Sequence, residues 1–307
     1  MAAQEYTEAW LTGPQETAIY TRTYLPPAPK AAIVFIHGFA EHVGRYTHFH
    51  PLLAKKDIAV FAIDQRGFGL TALDTQGKKS KGSSWGKTCW VHQMDDINWA
   101  INHAKEKFKD IPLFLMGHSM GGGEVLGFAT QEEHPHKSAI SLLSGLIATS
   151  PLITQASPAP KFLTWIGGKV SILAPYTTIP ADVKAEDPLI KQSGSLKGIS
   201  DMLTKGGELI RSSFKRWPKT LPLLIVHGTG DKVTSYESSQ TFVDSISADS
   251  KKLSLYEGGY HELQNEPDGV KERLAEEIIG FVNANISQAA AAPAAISQEN
   301  EAAKPNL

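Results

Sequence analysis

Gly117-His118-Ser119-Met120-Gly121 fits the pattern G-x-S-x-G, which sets a serine on a sharp turn between a strand and a helix. A serine hydroxyl is a weak nucleophile at neutral pH. It needs exposure, a base beside it and a place for oxyanion charge. The turn lifts Oγ off the sheet, and glycines on both flanks leave free the space a Cβ would fill. A helix starting near Met120 directs its dipole and free N–H groups at the developing negative charge. The chemistry such a serine performs is acyl transfer. Chance also produces a five-residue pattern with three fixed positions, so the assignment depends on what precedes and follows it.

In this arrangement the partners come in chain order serine, acid, histidine, each on a loop after a strand. Among the 11 histidines, His48, His50, His103, His134 and His136 fall on helices or their ends and read as solvated. His37, His118 and His227 fall in or at the ends of buried strands and read as hydrogen-bonded core histidines. His261 differs, because it follows the last strand through Gly258-Gly259-Tyr260 and precedes the last helix. It is the expected base. Asp231, at the end of His227-Gly228-Thr229-Gly230-Asp231, is the expected acid, placed to fix the histidine tautomer and stabilise an imidazolium. A helix cap is the competing role for that aspartate. Two backbone N–H groups would complete an oxyanion hole, Met120 after the nucleophile and Phe39 in the loop His37-Gly38-Phe39. The alternative for that loop is a plain strand-ending turn.

The elements needed to hold these residues are legible. Ala31 to His37, Ile58 to Asp64, Pro112 to Met116, Ala139 to Ile147 and Leu221 to Val226 are short apolar runs that suit strands buried on both faces. Lys252 to Tyr256 reads as another strand. Helical spacing appears over Tyr46 to Lys56, Met94 to Phe108, Ser119 to about Glu133, Tyr236 to Ile246 and Val270 to about Asn283. Buried strands alternating with amphipathic helices predict an α/β architecture, a doubly wound and mostly parallel sheet. Gln15 to Tyr24 reads as edge structure ended by Pro26-Pro27. The strand rhythm breaks from Pro151 to Pro218, which predicts a cap, or lid, inserted into the sheet domain. The organisation is then 1–150 and 219–286 for the core, 151–218 for the cap, and a disordered tail over 287–307, rich in Ala, Pro, Gln, Asn and Glu. Gly121 to Gly123 would cost a helix about 1 kcal/mol each against Ala, a cost that close packing on the sheet would justify.

Bulk composition narrows the function class. The chain has 307 residues, 41% hydrophobic and 20% charged, which suits one large α/β domain with an insertion. A net charge of -2, with no long run of Lys and Arg, gives no reason to expect a nucleic-acid partner. Cys89 is the single cysteine, which rules out an intramolecular disulfide and favours a reducing, cytoplasmic location. No signal peptide and no transmembrane run is read, so any membrane or lipid-droplet contact would be peripheral. No metal-ligand cluster is seen and no cofactor is implied.

With these residues in place the chain resembles the monoacylglycerol lipases, serine hydrolases of the α/β-hydrolase fold. The resemblance runs from about Tyr6 to Val282. It rests on Ile36-His37-Gly38-Phe39-Ala40-Glu41-His42 with Arg45-Tyr46, on Asp64-Gln65-Arg66-Gly67-Phe68-Gly69, and on Gly117 to Gly122. Asp187-Pro188-Leu189, His227-Gly228 with Asp231, and Tyr256-Glu257-Gly258-Gly259-Tyr260-His261 complete it. It implies hydrolysis of a monoacylglycerol to glycerol and a fatty acid, with the cap forming an apolar tunnel. Glu41 and Arg45 match positions that contribute to the glycerol end, although a loop ion pair explains them equally well. The chain departs from the family at Gly67-Phe68-Gly69, where Gly-His-Gly is frequent, at Gln264, where a second histidine occurs, and at Thr234, which occupies a cysteine position. The stretch between Pro180 and Pro188 also looks short. A broad carboxylesterase or lysophospholipase, transfer to an acceptor other than water, and an inactive binding protein of the same fold are the alternatives. Within the cap, Phe162, Leu163, Trp165, Ile166, Val170, Ile172 and Leu173, with Lys161 and Lys169 in the same stretch between Pro160 and Pro175, suit either a membrane-facing surface or packing on the sheet.

Overall fold

The computed structural model describes residues 5–131, 136–157, 173–181 and 186–301, with side chains as far as 286. Its centre is an eight-stranded sheet formed by β1 (Thr7–Thr12), β2 (Ala18–Tyr24), β3 (Ala31–Ile36), β4 (Ile58–Ile63), β5 (Leu113–His118), β6 (Leu143–Thr149), β9 (Leu223–Gly228) and β10 (Lys251–Tyr256). The strand order is β1-β2-β4-β3-β5-β6-β9-β10. At one edge β1 pairs with β2 and β2 with β4 antiparallel, and the other pairings are parallel. β3, β4, β5 and β9 are buried along their whole length, as their apolar, β-branched composition requires once helices cover both faces.

Those helices are α1 (His50–Ala54), α2 (Gly69–Leu73), α3 (Trp90–Lys107), α4 (Met120–Ala129), α5 (Lys137–Ile140), α6 (Leu196–Arg211), α7 (Tyr236–Ser245) and α8 (Val270–Glu301). Met94, Ile97 and Ile101 of α3, Leu126 and Phe128 of α4 and Phe242 of α7 pack on one face of the sheet. Leu53 of α1 and Leu274 and Ile278 of α8 pack on the other. The sheet is therefore doubly wound. Its strand order reverses at β3, between β4 and β5, and the crevice beyond the carboxyl ends of such strands is where ligands of open α/β sheets bind.

Several elements differ from the sequence reading. β1 is an added edge strand, whose Thr-Glu-Ala-Trp-Leu-Thr carries little apolar signal. The run from Ala139 is split, since Lys137–Ile140 forms α5 and β6 starts at Leu143. Between β6 and β9 a short antiparallel ribbon, β7 (Thr178–Pro180) with β8 (Ser193–Ser195), precedes the 16-residue α6. Gly206 and Gly207 hid α6 from a propensity reading. A Cβ at Gly206 would lie 2.7 Å from the carbonyl oxygens of Leu152 and Ile153, so close helix approach excludes a side chain there. α8 continues past Asn283 to Glu301, over an alanine-rich stretch of high helix propensity that the sequence reading assigned to a disordered tail; residues 302–307 lie outside the described residues. So do Phe162, Leu163, Trp165, Ile166, Val170 and Ile172, whereas Leu173 is 87% exposed.

Candidate active site

Ser119 links β5 to α4 with φ 55° and ψ −118°, a region that residues with a Cβ rarely enter. Its neighbours hold it there. Its N–H donates to Thr149 O (3.0 Å), and its carbonyl accepts from Gly123 N (3.0 Å) and Leu152 N (2.8 Å). The glycines around it are required by contact. A Cβ on Gly117 would lie 2.2 Å from Gly121 O, one on Gly121 would lie 2.4 Å from Ile36 O, and one on Gly123 would lie 2.5 Å from Leu152 O. Packing of α4 onto the sheet thus accounts for the glycine run.

β9 and β10 bring Asp231 and His261, the expected acid and base, to the same edge of the sheet as Ser119. His261 Nε2 lies 2.9 Å from Ser119 Oγ, and its Nδ1 lies 2.8 Å from Asp231 Oδ2. An ionised carboxylate only accepts, so Nδ1 carries the proton and Nε2 is free to accept from the serine hydroxyl. Asp231 Oδ2 also accepts from Thr234 Oγ1 (2.7 Å), and its Oδ1 accepts from the backbone N–H groups of Val233 (2.7 Å) and Thr234 (3.0 Å). Burial on its own would raise the Asp231 carboxyl. Hydrogen bonds from His227, His261 and Thr234 outweigh it and hold the carboxyl well below the usual carboxylate range.

Phe39 and Met120 sit at the ends of neighbouring strands, β3 and β5, whose register pairs Ile36 with Gly117. Among the described residues, neither backbone N–H donates to a protein acceptor. The Phe39 loop is fixed from several directions. Glu41 Oε2 accepts from Gly38 N (2.9 Å) and from Tyr46 Oη (2.6 Å). Asp64 Oδ1 accepts from Val43 N (2.7 Å), and its other oxygen from Leu70 N (2.7 Å). His37 Nδ1 donates to Gly38 O (2.8 Å), and its Nε2 accepts from Gln65 N (2.9 Å). Burial pushes His37 down to about 3, so its ring is neutral and this pairing is fixed.

Glu41 is turned inward. Burial, with a smaller contribution from Glu262, raises its carboxyl, against Tyr46, Arg45 and the Gly38 N–H. Arg45 donates from Nη2 to both carboxylate oxygens of Glu262 at 2.8 Å, and its Nε lies 3.7 Å from Glu41. The loop ion pair weighed as the alternative for these two residues therefore exists, and Arg45 keeps about a quarter of its side chain exposed (24%).

Sequence reasoning missed groups whose meaning depends on tertiary contacts. His42 Nε2 donates to Asp187 Oδ2 (2.8 Å) across the chain. His227 is the core histidine expected, but its Nε2 lies 3.1 Å from Asp231 Oδ2. His50 and His136 correct the reading of solvated helix histidines. His50 is sealed among Tyr24, Phe35 and Tyr46, and His136 stacks on Phe128. His50 opens α1 and His136 caps the start of α5, and both rings turn inward, which short helices with few apolar neighbours do not reveal. No group of His, Cys, Asp and Glu among the described residues could hold a metal ion.

Residues 27–268 match the family model described as serine aminopeptidase, S33 (Hydrolase_4). A putative monoglyceride lipase of Schizosaccharomyces pombe is 35% identical over 266 residues, covering 81% of this chain and 66% of that protein, just under two thirds of its length. The monoglyceride lipase of Rattus norvegicus is 28% identical, with 89% of each chain covered. In fold, the chain is similar to a soluble variant of monoglyceride lipase from Saccharomyces cerevisiae, solved with a substrate analog, at a TM-score of 0.77 and 23% identity over 93% of this chain and 96% of that one. With a doubly wound sheet, a serine on the strand-to-helix turn after β5 and a family match over most of its length, this chain belongs to the serine aminopeptidase S33 family of α/β-hydrolases, with monoglyceride lipases among its relatives.

Proposed function

We propose that this protein hydrolyses monoacylglycerols to glycerol and free fatty acid through an acyl-enzyme on Ser119. The observation that carries the reading is the continuous hydrogen-bonded series Ser119 Oγ, His261 and Asp231, beside backbone N–H groups with no protein acceptor. In the first half-reaction His261 Nε2 takes the hydroxyl proton as Oγ attacks the ester carbonyl. The Phe39 and Met120 N–H groups receive the oxyanion, and Asp231 stabilises the imidazolium. Collapse passes the proton from His261 to the leaving glycerol oxygen. Water then enters, gives its proton to His261, and attacks the acyl carbonyl, releasing the fatty acid and restoring Ser119.

The monoglyceride lipase relatives support the choice of substrate. In this reading Arg45 meets a glycerol hydroxyl and Glu41 acts from behind, through the loop. Peripheral docking on a membrane or lipid droplet belongs to the same reading. No helix among the described residues is long and apolar enough to cross a membrane, but Leu173 and Tyr176 of the cap and Tyr260 beside His261 are exposed. The test is turnover of monoolein, diolein, triolein and lysophosphatidylcholine by wild type and Ser119→Ala. Monoolein should be turned over fastest, and the variant should be inert. Triolein matching monoolein would overturn the substrate assignment; a lysophospholipid preference would favour the lysophospholipase alternative; inertness of wild type even to p-nitrophenyl butyrate would favour a binding protein.

A further inference from the structure

Asp231 carries two histidines on the same oxygen. His261 approaches Oδ2 at 2.8 Å from the solvent side, and His227 approaches it at 3.1 Å from within the sheet. The two rings differ in surroundings. His227 is wholly buried, at the end of β9, whereas the His261 side chain is 16% exposed. Both ring nitrogens of His227 are engaged, because Nδ1 lies 2.8 Å from Ser239 Oγ of α7. With an ionised carboxylate facing Nε2, that nitrogen must carry the proton, and Nδ1 accepts from the Ser239 hydroxyl. His227 thereby points an N–H donor at the acid of the proposed triad. Thr234 Oγ1, 3.2 Å from His227 Nε2, fills the space between the two rings and donates to the same oxygen.

We infer that His227 is a positioning residue for the reaction, which acts through Asp231 by taking up part of its negative charge and fixing its rotamer toward His261. The inference rests on the proposed Ser119 mechanism. The general base must be neutral to accept the serine proton, and the carboxylate beside it favours the charged form. A donor on the far side of Oδ2 draws charge away from the His261 contact, so the base remains competent to lower pH. Without that donor, Asp231 holds a proton on His261 more strongly, and the acid limb of the pH–rate profile moves up. The other ionisable groups facing this cluster are His118 of β5, whose ring centroid lies 5.0 Å from that of His261, Glu237 of α7 on the Ser239 side, and Arg45 beyond His118. Burial holds His118 well below the ordinary histidine value, so it stays neutral across the limb.

The two contacts of His227 can be separated by side-chain length. Glutamine carries its amide nitrogen out to the position of Nε2 and retains the donor to Asp231. Asparagine ends at the position of Nδ1, retaining the Ser239 contact but falling short of Asp231. The experiment measures kcat/KM for p-nitrophenyl butyrate from pH 5 to 9 in wild type, His227→Gln, His227→Asn and His227→Leu, with thermal melting of each and Ser119→Ala as control. One hydrogen bond to a charged group corresponds to a shift of roughly one to two pH units. The acid limb should rise by about that much in Asn and Leu and return toward the wild-type position in Gln. An unmoved limb in Asn, or a Gln limb displaced as far as that of Asn, would overturn the inference and leave His227 a packing residue. If the Leu variant does not fold, the Gln and Asn pair still decides. Turnover surviving in Ser119→Ala would overturn the mechanism beneath the inference, a result distinct from either.

Discussion

His42 Nε2 donates to Asp187 Oδ2 at 2.8 Å, joining residues 145 positions apart in sequence. His42 follows the Phe39 loop directly, and Asp187 lies in the segment between β7 and β8. His42 Nδ1 meanwhile accepts from Gly44 N (3.1 Å), which leaves Nε2 as the protonated nitrogen. Asp187 Oδ1 accepts from Leu189 N (2.8 Å). Burial would raise the Asp187 carboxyl, but the His42 hydrogen bond and the Leu189 N–H lower it. Around this contact Phe39, Ile190 and Met202 pack on a small apolar cluster of Ala40, Phe68, Trp85 and Met120. The side chains of both candidate oxyanion residues therefore share one apolar cluster with Ile190 and Met202, which ties the Phe39 loop to the segment that carries Asp187.

Breaking this tie should impair catalysis without touching the reacting atoms. Asp187→Ala removes the acceptor, and misplacement of a donor by about 1 Å can cost roughly 100-fold. A loss of about 10-fold or more in kcat is expected for Asp187→Ala. Asp187→Asn keeps an acceptor for His42 and should retain most of the rate. Steady-state kinetics on a soluble butyrate ester decide the matter, and equal loss in both variants would show that charge rather than the hydrogen bond matters.

Glu41 separates two roles for the same loop. A carboxylate that contacts glycerol would change KM when removed. The observed partners, Gly38 N and Tyr46 Oη, instead make it a brace for the backbone that carries Phe39. An oxyanion donor is strongest in the transition state, and losing one costs about 100- to 1,000-fold in kcat; displacing one should cost less. Glu41→Ala is expected to lower kcat roughly 10- to 100-fold with KM for monoolein little altered. A rise in KM at constant kcat would return Glu41 to the glycerol site.

For the proposed triad, a fluorophosphonate probe should label wild type at Ser119 and leave Ser119→Ala unlabelled, with thermal stability preserved. His261→Ala and Asp231→Asn should each lower kcat by about a thousandfold or more, and their effects should not add, because the groups act as a unit. Near-wild-type turnover in Asp231→Asn would point to another carboxylate.

The sheet and the placement of Ser119, Asp231 and His261 on their loops were legible because local pattern carries them. Buried parallel strands are short apolar runs, and the strand-to-helix serine turn needs glycines at fixed offsets. What was not legible depends on contacts across the chain. Gly206 and Gly207 weaken the helical signal of α6 locally, and only the nearby carbonyls of Leu152 and Ile153 explain them. His50, His227 and Asp187 are ordinary polar residues in sequence. Their roles appear when Tyr46, Asp231 and His42, respectively, are brought against them. Glu41 was legible as part of a motif, but which way its carboxylate turns was not.

Glu124, on the buried α4, gives a prediction about stability. Neither of its carboxylate oxygens has a hydrogen-bond partner among the described residues. Burial pushes its carboxyl up to about 8, with Asp96 adding to the rise and Gln65 opposing it. A raised acid binds its proton in the folded state at pH values where the unfolded chain has already released it. Its contribution is fully present below the unfolded value, near 4.5, and is lost as pH rises toward 8. Each unit of that interval corresponds to about 1.4 kcal/mol, so the loss by pH 8 is of the order of a few kcal/mol. Glu124→Gln has no proton to lose and nearly the same shape. Its stability relative to wild type should therefore increase steadily between pH 5 and 8 and level off above. Urea denaturation of both proteins at pH 5, 6, 7, 8 and 9 measures the difference. A constant difference across that range would mean that Glu124 is paired or hydrated in solution, and that its carboxylate is stabilised there.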